Sequence, residues 1–502
     1  MTHDLIALLR ADLHAARYSV ASLEALWGAS AAGALHRGHR VPAVRSLAEH
    51  PGPLGTLATL FVLGLPVDAA AADAAFPTLG TPGAVRLGLV AEDEGRVIRP
   101  LLDLRPYSFV DAHGAGAWFI ASDLGEMALG GAIPENHVLG VGGASTTLSG
   151  LMLPIPVESA LDLGTGCGIQ ALHASRHARR VVATDISERA LELAAFNAQL
   201  NGIDTIEFRL GSLFEPVAGE RFDHIVSNPP FVITPRVEGV PSYEYRDGGL
   251  VGDALVQRVI DEAADHLNPG GVAQLLGNWE YRGPDPRSGL DRVAGWLDGS
   301  PLDAWVVERE LQDAALYAET WIRDGGTRVG SAAFDALSSA WLDDFASRDV
   351  TAVGFGYVTL RASAAAVPLR RLERIDGLGS NSTGLGTHLA VCLAAHDWQA
   401  ARDDAALVDA VLTVAPDVTE ERHYWPGDEH PTVIDLRQGG GFGRTLPAGT
   451  AIAAVVGACD GELPLGAICG AIAELLEVDE GELLGEVLPQ VREFIAIGVL
   501  LP

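Results

Sequence analysis

The stretch Leu161-Asp162-Leu163-Gly164-Thr165-Gly166-Cys167-Gly168 decides the fold class. Ser159-Ala160 leads an apolar run that ends at Leu163, and Ile169-Gln170-Ala171-Leu172-His173-Ala174 then opens a helical pattern. Strand, glycine turn and helix in that order mark a doubly wound α/β sheet, which takes its ligands at the carboxyl ends of its strands. Glycine is needed at such a turn because only a residue without a Cβ lets the backbone bend sharply and approach a ligand. The spacing is G-x-G-x-G, a near neighbour of the dinucleotide fingerprint G-x-G-x-x-G but distinct from it.

The chain continues in step with that reading. Arg180-Val181-Val182-Ala183-Thr184-Asp185 is a second buried strand that ends on a carboxylate, where doubly wound sheets hold both hydroxyls of a ribose. Ala190 to Gly202 has apolar residues at helical spacing and an Asn201-Gly202 stop. Gly211-Ser212-Leu213-Phe214-Glu215-Pro216 is a loop, Phe222 to Ser227 is a strand, and Asn228-Pro229-Pro230-Phe231 stands at its carboxyl end. The two prolines fix φ and remove amide donors, leaving carbonyl oxygens outward on a stiff turn. Alone, Asn-Pro-Pro-Phe reads as a loop ending a strand; after the glycine turn and the acidic strand end, it reads as chemistry.

These segments resemble the class I S-adenosylmethionine-dependent methyltransferases, in particular the HemK-like and methyltransferase small domain enzymes. The resemblance covers the glycine turn, Asp185, the helix with Asn197-Ala198, the Gly211–Pro216 loop and the Asn-Pro-Pro-Phe tetrapeptide. It extends through Tyr243-Glu244-Tyr245-Arg246-Asp247-Gly248-Gly249-Leu250 to a fifth strand at Val272–Leu276. It implies a Rossmann-like seven-stranded sheet and S-adenosylmethionine as cofactor. Asp162, Gly164, Thr165, Gly166, Gly168, Asp185, Ile186, Asn197, Ser212 and Leu213 would surround the cofactor. Ser212 stands where many members carry an acid, so a hydroxyl, a weaker acceptor, would face the adenine amine. Thr146 and Thr147, in Gly142-Gly143-Ala144-Ser145-Thr146-Thr147-Leu148, belong either to a loop over the methionine end or to a helix cap.

The catalytic set would be Asn228, Pro229, Pro230 and Phe231. An amide or aromatic amine is a poor nucleophile, because its lone pair is delocalised. The Asn228 side-chain oxygen and the Pro229 carbonyl would accept its two hydrogens and turn that lone pair to the methyl carbon, while Phe231 stacks on the flat acceptor. The family implies a planar nitrogen as acceptor, and the exocyclic amine of a base in RNA is the first expectation. The alternative is a protein or peptide acceptor, the glutamine side-chain amide of the HemK-like enzymes. A further alternative is a non-catalytic sensor or scaffold that only binds the donor.

Composition frames the core. The 502 residues suggest about three domains, expected here at 1–105, 106–367 and 368–502. The net charge is −32 and every Lys+Arg residue is arginine. A binder of long nucleic acid usually shows a basic face, so this acidity favours a protein acceptor over RNA. His36-Arg37-Gly38-His39-Arg40 with Arg45, and Arg370-Arg371 with Arg374, are local basic clusters that read as solvated or inter-domain charge. Cys167, Cys392, Cys459 and Cys469 lack metal-ligand spacing and read as thiols of a reducing compartment. His423 and His430 lack a ligand spacing too, so no metal is expected. The polar start Thr2-His3-Asp4 and broken apolar runs give no secretory signal or membrane span, and the expectation is a cytoplasmic protein of open oligomeric state.

On the N-terminal side, helices are expected at Leu5–Tyr18, Val20–Trp27, Leu54–Leu63 and Asp68–Phe76, then a β-hairpin over Leu87–Pro100. Helices followed by a hairpin suggest a winged-helix-like module, unlike the helical domain usual in HemK. Trp305–Glu308 and Val350–Leu360 are expected as antiparallel edge strands closing the core. Gly439–Gly443 reads as a connector, and the helices from Thr450 to Ile497 resemble a second small winged-helix-like module, a packing element or a dimer contact.

Overall fold

The computed structural model describes residues 2–129, 133–363, 365 and 368–502. Contacts divide the chain into two compact units, one of residues 1–149, 156–363 and 371–373, the other of 150–155, 364–370 and 374–502.

The first unit is built on an eight-stranded sheet. Its strands in chain order are β1 (Val157–Leu163), β2 (Ala178–Asp185), β3 (Ile206–Leu210), β4 (Phe222–Ser227), β5 (Leu267–Arg282), β6 (Asp303–Asp313), β7 (Val350–Arg361) and β8 (Arg370–Arg374). Their order across the sheet is β8-β6-β7-β5-β4-β1-β2-β3. Strands β1 to β5 pair in parallel, and β7 runs antiparallel to both β5 and β6. Leu161, Val182, Val226 and Leu275 are almost wholly buried, as expected of parallel strands covered on both faces. Register places Leu163 opposite both Thr184 and Ser227, so the carboxyl ends of β1, β2 and β4 finish level with one another. The glycine turn, Asp185 and Asn228 all leave the sheet from that line.

Three expectations need correction. The sheet has an eighth strand, whose Glu373 accepts a hydrogen bond from Trp305 Nε1 at 2.8 Å on β6. Val350–Leu360 is no edge: β7 lies between β5 and β6, and Val358 and Leu360 are buried within the sheet. The fifth strand runs well beyond Val272–Leu276, to Arg282.

Ahead of the sheet, Leu102–Asp111 and Gly114–Asp123 form a long hairpin, and the boundary expected at residue 105 falls inside its first strand. The helix expected at Val20–Trp27 continues to His36 across a kink at Gly28, whose φ of +72° interrupts the helix. Leu54–Leu63 divides into an α-helix, Pro53–Leu57, and a π-helix, Ala58–Val62. Helices Val41–Glu49 and Thr81–Arg86 have no counterpart in the expectations. Val67–Asp68, Val97–Pro100 and Val90–Asp93 make a three-stranded sheet, with helices Ala69–Ala75 and Thr81–Arg86 between its first two strands in sequence. One continuous core joins Leu9, Leu13, Phe61 and Phe76 of this block to Ile169, Leu172, Leu193 and Leu200 of the sheet's own helices.

In the second unit, Val411–Val414, Asp460–Pro464 and Leu500–Leu501 form a small sheet beside helices Thr450–Ala458, Leu465–Leu476 and Glu480–Ala496. Gly439–Gly443 lies between strands Val433–Gln438 and Thr445–Pro447. Residue 367, the expected domain boundary, lies outside the described residues. Among the described residues no helix is long and apolar enough to cross a membrane.

Candidate active site

A cavity of about 390 Å³ opens at the carboxyl ends of β1, β2 and β4. Gly164, Thr165, Gly166, Asp185, Ile186, Ser212, Leu213, Asn228, Pro229 and Pro230 line it, so most of the residues singled out in the sequence meet in one place. Gly164 and Gly166 have φ of +77° and +54°, and a Cβ on either would meet no other atom within 4 Å. Their backbone therefore faces open space that a ligand can fill. The Asp185 carboxylate accepts from Gly166 N through Oδ2 and from Ser187 N through Oδ1, each at 2.9 Å. Burial raises its pKa, and the two amides, together with that of Ile186, oppose the rise. Gly211 N donates to the Asp185 carbonyl at 2.9 Å, which brings the Ser212-Leu213 loop to the same wall.

The opposite wall is Asn228-Pro229-Pro230. Asn228 Oδ1 is buried and has no hydrogen-bond partner among the described residues. A buried acceptor left open costs about 1–3 kcal/mol, so an orphan on a cavity wall points to a ligand donor that completes it. Segment 243–249 braces the tetrapeptide and itself lines part of the cavity. Phe231 bridges to Asp247, Val232 N donates to the Arg246 carbonyl at 2.9 Å, and a Cβ on Gly248 would come within 2.9 Å of the Pro230 carbonyl.

Several expected site residues lie behind the wall. Asp162 is fully buried, and its Oδ2 accepts from Thr165 Oγ1 at 2.6 Å and from Ala171 N at 2.9 Å. It is a stay beneath the glycine turn, and burial pushes its carboxyl up to about 7. Gly168 packs: its φ is +88°, and a Cβ would meet Ala194 Cβ at 2.9 Å. Asn197, also fully buried, accepts from Ala121 N at 2.8 Å and donates to the Ala121 carbonyl at 2.9 Å and the Cys167 carbonyl at 2.8 Å. One helical turn later Asn201 makes the same pair of bonds with Phe119, at 2.9 and 2.8 Å. Two asparagines thus imitate a strand along the hairpin edge. Thr146 and Thr147 belong to helix Gly143–Leu151, where Thr146 Oγ1 donates to the Gly143 carbonyl at 2.9 Å, so the helix rather than an open loop is what forms. Phe231 does not line the cavity; its ring packs on Phe355, centroids 5.5 Å apart, because the chain has already turned into the core.

The cavity also has walls that sequence reasoning missed. Ser145 lines it, and its carbonyl accepts from Gln170 Nε2 at 2.8 Å. Glu135, His137, Glu244 and Tyr245 form a rim, tied by a bond from Glu244 N to the Glu135 carbonyl at 3.0 Å. The neighbouring segment is fixed where Val138 N donates to Asp123 Oδ2 at 2.9 Å, at the end of the long hairpin. No local motif announces Glu135 or His137. For Glu244 and Tyr245 the signal was present in Tyr243–Leu250, which contains the Gly248-Gly249 pair.

Comparison with known proteins agrees with this geometry. Residues 143–286 match the methyltransferase small domain. The core of this chain is a class I methyltransferase domain. The methyltransferase domain is 36% identical over 151 residues to the ribosomal protein uL3 glutamine methyltransferase of Bradyrhizobium diazoefficiens, covering 28% of this chain and 46% of that protein. It is 36% identical over 128 residues to a putative protein N5-glutamine methyltransferase of Methanocaldococcus jannaschii, covering 25% and 64%. With the release factor glutamine methyltransferase of Geobacter sulfurreducens the identity is 36% over 164 residues, covering 27% and 57%. The chain thus spans 46% to 64% of the length of these relatives. Residues 15–100 and 391–502, on either side of the methyltransferase domain, each match a domain of unknown function.

Proposed function

We propose that this protein transfers a methyl group from S-adenosylmethionine to the side-chain amide nitrogen of a glutamine in a protein. The observation that carries the reading is the buried, unpartnered Asn228 Oδ1, set in the same cavity as the open backbone of Gly164 and Gly166 and the Asp185 carboxylate. The cavity fits the donor: glycine backbone for the methionine and sulfonium part, Asp185 for the ribose, and Ser212 and Leu213 for the base. When bound, S-adenosylmethionine supplies a methyl on a sulfonium; transfer breaks its C–S bond, forms an N–C bond, and leaves a neutral thioether and a proton for solvent.

The chain's own work is orientation. Asn228 Oδ1 and the Pro229 carbonyl accept the two amide hydrogens, so the nitrogen lone pair is rotated out of conjugation and toward the methyl carbon. Phe231 holds the turn stiff from inside the core, a different task from stacking on the acceptor. The relatives named above act on glutamine, which supports the protein amide over the RNA base that the sequence put first. An intact, unsatisfied acceptor is also of no use to a scaffold.

Asn228→Ala tests the proposal. Turnover on a glutamine-containing protein acceptor is expected to fall about a hundredfold or more, the usual cost of one preorganised polar contact. Donor affinity, read by titration calorimetry, is expected to stay within about twofold, under about 0.5 kcal/mol, since in this reading Asn228 holds the acceptor and not the donor. Unchanged methylation would overturn the assignment.

A further inference from the structure

The cavity's charge is one-sided. Glu135, Asp185, Glu244 and Asp247 line it, and among the described lining residues there is no arginine, in a chain without lysine. Asp185 already accepts from two backbone amides and is the ribose partner in the reading above, and Asp247 accepts from Thr234 Oγ1 and Tyr243 N. Glu135 and Glu244 differ: both are exposed, and neither makes an ion pair among the described residues. Some surface carboxylates of the unit are met by arginine, as Glu207 and Glu220 are by Arg180 and Arg209, whereas Glu135 and Glu244 share one cavity wall that holds no cation among the described residues. Arg236 comes near the rim, where it donates to Ser242 Oγ at 3.1 Å, but it does not line the cavity.

A second observation marks this rim as a binding surface. His137 is 4% exposed, and its Nδ1 is buried without a partner on the same cavity. Its ring meets the Tyr245 ring edge-on, centroids 6.0 Å apart. Burial lowers the His137 pKa, so the ring is held neutral and adds no cation to the rim. The donor's sulfonium accounts for negative charge deep in the cavity, but not for two unpaired carboxylates at its lip.

We propose that the rim of Glu135 and Glu244 selects a cationic protein segment, one that presents its glutamine flanked by arginine or lysine. This rests on the protein-glutamine reading above. A cationic segment is attracted Coulombically to both glutamates at the lip, whereas a phosphate backbone would bring like charge against them with no lining cation to offset it.

The experiment uses the full chain with synthetic peptides, each carrying one glutamine flanked by arginines, by serines or by glutamates, and a single-stranded RNA of similar length. Binding to the protein saturated with S-adenosylhomocysteine is read by fluorescence anisotropy, and methylation by transfer from tritiated S-adenosylmethionine. The arginine-flanked peptide is expected to show about tenfold higher affinity and kcat/KM than the glutamate-flanked one, with the gap closing as salt is raised. In the Glu135→Gln/Glu244→Gln variant that ratio is expected to collapse toward one, while in a control Glu92→Gln/Glu94→Gln, which removes the same charge from the N-terminal hairpin, it persists. Equal ratios for all three peptides, or a ratio that survives Glu135→Gln/Glu244→Gln, would overturn the inference and leave the amide reading standing. Preferential binding of the arginine-flanked peptide with no methylation of any peptide would instead overturn the amide reading and leave the rim's selectivity. Tighter binding of the RNA than of every peptide would overturn both.

Discussion

Asp162 supports the glycine turn from beneath without lining the cavity. Its carboxyl sits under the glycine turn at about 7, raised by burial, against a normal value of 3.8. A carboxyl whose folded pKa is raised stabilises the native state fully below its unfolded pKa and loses that contribution as pH climbs to the folded value. We therefore expect the wild type to lose stability relative to Asp162→Asn between about pH 4 and pH 7. Thermal melts of both proteins across that range check it; a constant difference in Tm would mean that Asp162 titrates normally. The glycines divide in the same manner. Gly168→Ala forces a Cβ against Ala194 at 2.9 Å and a φ of +88°, and is expected to destabilise by about 1–3 kcal/mol. In Gly164→Ala the new methyl meets nothing of the protein within 4 Å, so beyond the strain of positive φ its cost should appear as weaker donor binding. Sequence spacing placed all these residues near the ligand, but spacing does not tell a lining residue from a prop. That distinction depends on which way each side chain leaves the turn.

At the scale of elements, strands β1, β2 and β4 were legible because each carries a short apolar centre, Ala160-Leu161, Val181-Val182-Ala183 and Ile225-Val226, and the turns after them are local chemistry. Strand order was not legible, since the insertion of β7 between β5 and β6 is a choice among distant partners. Helices Val41–Glu49 and Thr81–Arg86 were hidden for another reason: both are short, begin at a proline in their first turn, and take their burial from neighbours. Glu135 and His137 reach the cavity through a segment that Asp123 holds, more than ten residues earlier in the chain and at the end of a different element. The asparagine clamp makes a test at this scale. Asn197→Ala removes bonds to both backbone groups of Ala121 and to the Cys167 carbonyl, all buried, and is expected to cost about 2–4 kcal/mol. Denaturant unfolding gives that figure directly. A loss below about 0.5 kcal/mol would show that the clamp only decorates an interface packed by other means.

For the molecule as a whole, a net charge of −32 implies self-repulsion in the compact state. Raising sodium chloride from about 20 to 500 mM should therefore raise Tm, because screening lengths shrink from about 20 Å to a few ångström. A fall in Tm with salt would mean that the surface ion pairs outweigh the repulsion. The first unit's core is continuous from Leu9 to Leu200, so the N-terminal block and the methyltransferase domain share one hydrophobic interior. Deleting residues 1–100 is expected to yield insoluble protein rather than an independent enzyme, a result that expression and sedimentation read at once.

The long hairpin also sets terms for anyone who would recombine this enzyme with its kin. A chimera joined at residue 105 severs Leu102–Asp111 in mid-strand, so the first residues of that strand must pair with the Gly114–Asp123 strand of another parent. A joint beyond Asp123 keeps the whole ribbon with its own parent, but then it is the recipient's helix that must supply matching amides at two positions one turn apart. Exchange of the amino-terminal portion is thus less like changing a cartridge than like recutting a key, and libraries of crossovers should treat Leu102–Asp123 and Glu188–Asn201 as one indivisible block.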